Sequence, residues 1–206
     1  MVLIWRPDSG SEHEFTFADF TNYLDLFDQG LKLNLCVPFP NDVETPQISS
    51  KSSGDPTDHF MASGAFVASH RLRTLFERIN VVAEYLPIEL IHNGIPYDSS
   101  EFFIVNLLDE VACLDYEASK YTPTPNGVTD IVDLVIDDGI AQGHPLFMLG
   151  PIRWGDRPNP MAVCEIVRCA SKDLAIRCFN EKVTGVAFTL PNDRNAYPPP
   201  LWNAEF

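Results

Sequence analysis

The sequence predicts an α+β fold: a mainly antiparallel or mixed β-sheet with three to four short helices packed on it. Three observations lead there. Short runs of β-branched and aromatic residues recur along the chain, bounded by Gly, Pro or Asn-Gly. Between them lie brief stretches of helical periodicity, three of them preceded by Ser or Thr, which can cap a helix start. The 17 prolines among 206 residues call for many turns and irregular connections between short elements.

Length and composition allow one large domain, or one domain with a small appendage. A hydrophobic fraction of 45%, with 14 Phe, is enough for a packed core. A chain of this size buries roughly 70% of its unfolded surface and needs no disulfide or metal to hold it.

The elements follow in order. Thr16 can cap a first helix, with Asp19 three residues on. Phe17, Phe20, Leu24 and Phe27 then recur at helical spacing and Gly30 ends the run. Such a stripe reads as core packing, with a partner-binding stripe as the second reading. Residues 38–64 contain Pro38, Pro40, Pro46, Pro56 and the run Ser49 to Gly54, and they read as a long connection. An N-terminal subdomain over 1–62 is therefore expected, then a main body over 63–190.

In that body Ala65–Val67 reads as a strand. Ser69 caps a helix carrying Leu72, Leu75, Phe76 and Ile79. Val81–Leu90 is extended and interrupted by Pro87; Asn93-Gly94 is a turn. Phe102–Val105 reads as a buried strand, followed by a short helix with Leu107, Leu108, Val111 and Leu114. Asn126-Gly127 marks another turn. Strands are expected over Ile131–Ile136, Pro145–Leu149 and Val163–Val167, with a surface loop over Gly150–Pro160. Ser171 caps a last helix bearing Leu174, Ala175 and Phe179, and Val183–Phe188 is the last strand. Residues 191–206, with Pro198-Pro199-Pro200, are expected to form an extended tail. The order strand, serine cap, helix, strand occurs at 65–90 and again at 163–190, a likeness of supersecondary order and not a sequence repeat.

Motifs for chemistry are scarce. The chain has no GxxxxGK[ST] loop, GxGxxG turn, GxSxG elbow or HExxH pair. The five histidines stand singly, and Cys164, Cys169 and Cys178 are the nearest approach to a metal cluster. Cys164 and Cys169 bracket an expected strand, so they need not converge. Asp58-His59 and Asp137-Asp138 suggest acid–base pairs; neighbours on a strand point to opposite faces, so Asp137 and Asp138 would not share one proton, and their place before Gly139 reads as a turn. No catalytic residue, metal or cofactor is assigned. Five irregularly spaced cysteines, the absence of a basic start leading into an apolar run, and no stretch near 20 apolar residues point to the cytoplasm.

Charge says more. With 29 Asp and Glu against 14 Lys and Arg, the net charge is −15. A surface of this sign repels phosphate backbones, which sets nucleic-acid binding aside, and attracts a basic partner. Between residues 98 and 138 ten acidic groups face Lys120 alone. Between 153 and 182 the balance tips slightly the other way.

Four stretches carry a likeness to a known family. They are Ser63–Ser69 before the helix through Leu75; Phe102–Leu108 leading into Cys113-Leu114-Asp115, with Ser119 beyond; Leu134–Asp137 to Pro145–Leu149; and Val183–Phe188. In this order, over about 63–190, the chain resembles family eleven of the immunity proteins that accompany bacterial polymorphic toxins. The loop from Gly150 to Pro160 is longer than the family's usual connection, and the first 60 residues match only loosely. The resemblance brings no catalytic residues with it. It implies a protein that protects the producing cell by binding a cognate toxin. Asp109, Asp115, Asp133, Asp137 and Asp138 are the candidate polar contacts with a basic toxin surface, and Trp154 and Trp202 the candidate anchors. The rivals are a hydrolase that reverses a toxin's modification and an interaction module unrelated to toxins. No nucleic-acid or membrane partner is expected.

Overall fold

The structure is a computed structural model that describes residues 1–8, 17–152 and 161–194. In chain order the elements are β1 (Val2–Pro7), β2 (Phe17–Phe20), α1 (Tyr23–Asp28), β3 (Gln47–Ser50), β4 (His59–Ala62), β5 (Ala65–Ser69), α2 (His70–Arg78), β6 (Ala83–Pro87), β7 (Glu89–His92) and β8 (Ile95–Pro96). There follow β9 (Phe102–Leu107), β10 (Glu110–Val111), β11 (Lys120–Thr124), β12 (Gly127–Asp133), β13 (Leu146–Leu149), β14 (Arg168–Ser171), α3 (Lys172–Asn180) and β15 (Val186–Thr189), then a 3-10 turn at Pro191–Asp193.

Two mixed sheets carry the fold. One has the order β10-β13-β14-β1-β15 and the other β6-β9-β5-β4-β2-β3-β7-β8; β11 and β12 make a separate hairpin. The α+β expectation holds, with three α-helices on a β-rich frame.

The sequence explains why the sheets stack. In a strand, alternate side chains serve opposite faces. In β1, Leu3 and Trp5 face a central core shared with Phe66 and Ala68 of β5, Val105 and Leu107 of β9, and Leu72, Leu75 and Phe76 of α2. Val2 and Ile4 face a second core closed by Leu114, Val128, Ile131 and Leu134 around the hairpin. Phe60, Val67 and Ile104 build a third core on the far face of the larger sheet, against Ile48 and Leu90. Strands covered on both faces have no polar side to show, so Val2-Leu3-Ile4-Trp5 and Phe102-Phe103-Ile104-Val105 run apolar without alternation.

Both serine caps form as expected. Ser69 Oγ accepts from Leu72 N at 3.1 Å and Ser171 Oγ from Leu174 N at 3.2 Å. Each helix then ends with the same backbone turn, Asn80 and Lys182 taking positive φ. Val81 N donates to Phe76 O, and Val183 N to Cys178 O. The Asn93-Gly94 turn joins β7 to β8, and Asn126-Gly127 joins β11 to β12.

Other expectations are corrected. The first helix does not begin at Thr16: residues 17–20 are a strand, pairing parallel with β4 and antiparallel with β3. The helix starts only at Tyr23 and turns Leu26 inward, leaving Leu24 and Phe27 exposed. The 38–64 connection contains β3 and β4, because Ile48 and Phe60 have core positions to fill. No helix spans 107–114: Leu107 completes β9, and Glu110-Val111 pairs parallel with Met148-Leu149. Nor is Val163–Val167 a strand. Val163 makes only isolated bridges, to Val128 and Ile152, and regular pairing starts at Arg168 opposite Met148. β12 begins at Gly127, ahead of the expected Ile131, and ends at Asp133. Where strands replace an expected helix or connection, non-local backbone pairing overrides local propensity; at Val163–Val167 β-branched residues find no regular partner strand.

The expected boundary near residue 62 falls between β4 and β5, which are hydrogen-bonded neighbours. β1 lies between β14 and β15. Residues 1–62 therefore supply strands to both sheets.

Candidate partner-binding surface

The five aspartates singled out in sequence take different local roles. Residues 113–115 and 135–137 run antiparallel around a Leu114–Ile136 bridge. Asp115 and Asp137 flank it, and each caps a tight turn. Asp115 Oδ1 accepts from Glu117 N and Ala118 N, both at 3.0 Å. Asp137 Oδ1 accepts from Gly139 N at 2.8 Å and Ile140 N at 3.2 Å. These are the local side-chain turns that Asp favours. Asp138 Oδ1 accepts from Val2 N at 2.9 Å, tying the turn to β1. Asp115, Asp137 and Asp138 thus share one end of the hairpin layer. Asp109 stands at the other end of the 137–144 turn, its Oδ2 2.7 Å from His144 Nδ1. Asp133 is opposite Lys120 at the mouth of the β11–β12 ladder, where an opposite charge offsets it.

Three shallow recesses adjoin this region. The first, about 370 Å³, lies between Val2, Leu134 to Ile136, Asp138 and the 3-10 turn. The second, also about 370 Å³, shares Met1, Val2 and Asp138 with it and reaches Ser171 and Asp173. The third, about 330 Å³, shares Gly143, Ser171 and Asp173 with the second and runs past His144 to Arg78 and Arg177. Shared walls make them one open groove across the seam where the 137–144 turn meets α3. Charges of both signs line it: Asp138, 3.5 Å from the Met1 ammonium, and Asp193 beside Val2, Lys172 and Asp173 in the middle, and Arg177 and Arg78 at the far end, with Arg78 NH2 2.5 Å from Glu181 Oε1. Sequence gave no sign of His144, Arg78 or Asp173 here, because contacts over such separations leave no local pattern.

The candidate acid–base pair Asp58-His59 is split. The His59 ring is buried edge-on to Phe66, with centroids 4.5 Å apart, and Nδ1 lies 3.0 Å from Val67 O. Burial drives its pKa down to about 3, so the imidazole is neutral. The Asp58 carboxylate points the other way. It accepts from Ser69 Oγ at 2.7 Å, Arg71 at 2.9 Å, and Thr184 N and Oγ1 at 3.0 and 3.1 Å. All five cysteines are free thiols. Burial pushes Cys36, Cys113 and Cys178 up to about 12, away from thiolate character. Cys164, outside regular structure and exposed, is 3.5 Å from Asn126 O. Among the described residues no group of three or more His, Cys, Asp or Glu is arranged to hold a metal. None of their helices is long and apolar enough to cross a membrane.

Trp154 and Trp202, the expected anchors, lie outside the described residues, as do most of the Gly150–Pro160 loop and the tail beyond Arg194.

Fold and surface together define a β-rich α+β protein with two stacked sheets and an open groove lined by charges of both signs. The model of the Immunity protein family (Imm11) matches residues 5–150, and the chain belongs to that family. The match takes in the N-terminal region, where the sequence likeness was loose, and stops short of α3 and β15. Membership implies an immunity role, with a toxin as the partner. No curated protein matches the chain.

Proposed function

We propose that this protein neutralises a cognate bacterial toxin in the cytoplasm by occluding it, without catalytic turnover. The observation that carries the reading is the match to an immunity protein family over residues 5–150. The physical means is a charged, shape-matched interface. The toxin presents a basic face; Asp138 in the groove steers it in, and Asp115, Asp137, Asp109 and Asp133 extend the negative field beyond its lining. Trp154 and Trp202 are the anchors in this reading, since aromatic side chains supply much of the binding energy at protein interfaces.

The test measures binding to the product of the adjacent toxin gene at several salt concentrations. Tight binding at low salt that weakens as salt rises supports both occlusion and steering. Salt-insensitive binding removes the steering role of the aspartates, and absence of binding at low salt overturns the reading.

A further inference from the structure

The short helix α1 presents an apolar face to solvent. Leu24 is 75% exposed, Phe27 61% and Tyr23 44%, although the same residue types elsewhere in the chain supply the core. At roughly 200 Å² for a large side chain, this leaves on the order of 350 Å² of adjoining apolar surface open, the size of patch that commonly marks an interaction site.

The face is held in place. Leu26 is fully buried beneath it, and Gly30, at φ +87°, ends the helix. On its flanks Asn22 bonds Thr45 O and Gln47 N at 3.2 and 2.9 Å, and Gln29 Oε1 accepts from Glu44 N at 2.7 Å. The Tyr23 and Phe27 rings are near parallel, 6.5 Å apart, and Tyr23 also meets Phe20 at 5.7 Å. Little ordering is therefore left for binding to impose. Exposed Asp25 and Asp28 on the same helix, with Glu44 beside it, give the patch a negative rim.

We propose that α1 is a docking face for the toxin, built around Leu24 and Phe27, and that the surface it meets is apolar at its centre and basic at its edge. An apolar centre inside a polar rim is the usual anatomy of a protein interface, and the acidic rim selects a cationic partner over a second copy of this acidic chain. The proposal rests on the toxin-binding reading for the partner's identity and adds a contact remote in sequence from Asp137 and Asp138.

The experiment compares the full-length wild type with the double variant Leu24→Ser/Phe27→Ser. It measures affinity for the adjacent gene's toxin, urea unfolding, and sedimentation of each chain alone. Because both side chains are exposed, the variant should unfold at the wild-type midpoint or later. Its affinity should fall at least tenfold, with the salt dependence of binding kept, since no charge is removed. Wild-type affinity in the folded variant overturns the proposal and leaves toxin binding standing. A wild-type chain that binds no toxin overturns both. A wild-type dimer that the variant dissolves assigns the face to a second copy and also overturns it. A variant that unfolds early is replaced by Phe27→Lys alone, whose affinity is read against the same tenfold threshold.

Discussion

Asp58 and His59 show how much depends on the direction of single side chains. Asp58 ties β4 to the start of α2 through Ser69 and to the approach of β15 through Thr184. His59 fills the interior beside Trp5 and Phe66. Its pKa lies near 3 when folded and near 6.5 when unfolded. Below pH 6.5 the unfolded chain therefore binds a proton that the folded one refuses, so stability falls as pH drops from 6.5 towards 3. The loss approaches about 1.4 kcal/mol per pH unit. Urea unfolding between pH 7 and 5 should show this slope in the wild type and a shallower one in His59→Leu; equal slopes would refute the assignment. At Gly185, φ is +75° and an added Cβ would lie 2.0 Å from His59 O. Gly185→Ala should cost more than about 2 kcal/mol in the same assay, since the clash is with backbone. Neither effect was legible in the sequence, because burial at residue 59 and close approach at residue 185 arise only when distant segments meet.

At the scale of elements, the two serine-capped helices are nearly alike. α2 and α3 have nine residues each, a cap bond to the third residue on, and a left-handed residue after the last turn. They were legible because caps, helical period and chain reversal are local signals. Their caps differ in one respect: Ser69 Oγ also donates to Asp58 at 2.7 Å. Ser171→Ala should cost about 1 kcal/mol, and Ser69→Ala about 2 to 3 kcal/mol, because a charge-assisted bond is lost as well. Urea midpoints compare the two directly. The elements that could not be read locally are those whose conformation comes from pairing. Phe17–Phe20 fits a helical stripe by spacing but is a strand between β3 and β4. Leu107–Leu114 has helix-compatible spacing, yet its backbone completes two different sheets.

For the whole molecule, the apolar run Phe102–Val105 reads as a buried strand, but the equally apolar Val2–Trp5 is not read as one from sequence, although β1 separates two of the three cores. The acidic stretch between 98 and 138 was plain in the sequence. Its arrangement was not: Asp115 and Asp137 cap turns, Asp138 holds β1, and Asp133 faces Lys120. Asp115, Asp137 and Asp138 therefore also serve the fold. Asp138→Asn keeps an acceptor for Val2 N while removing the charge. It should slow toxin association several-fold at low salt and converge with the wild type at high salt, as stopped-flow mixing would show.

The central claim is occlusion, one copy of this protein for each toxin molecule. Titrating the adjacent gene's toxin with the purified protein and following residual toxin activity tests it most directly. Occlusion predicts a linear fall that ends near one molar equivalent and activity that returns when the complex is dissociated. Loss of toxic effect at a few hundredths of an equivalent would reveal turnover and contradict the account.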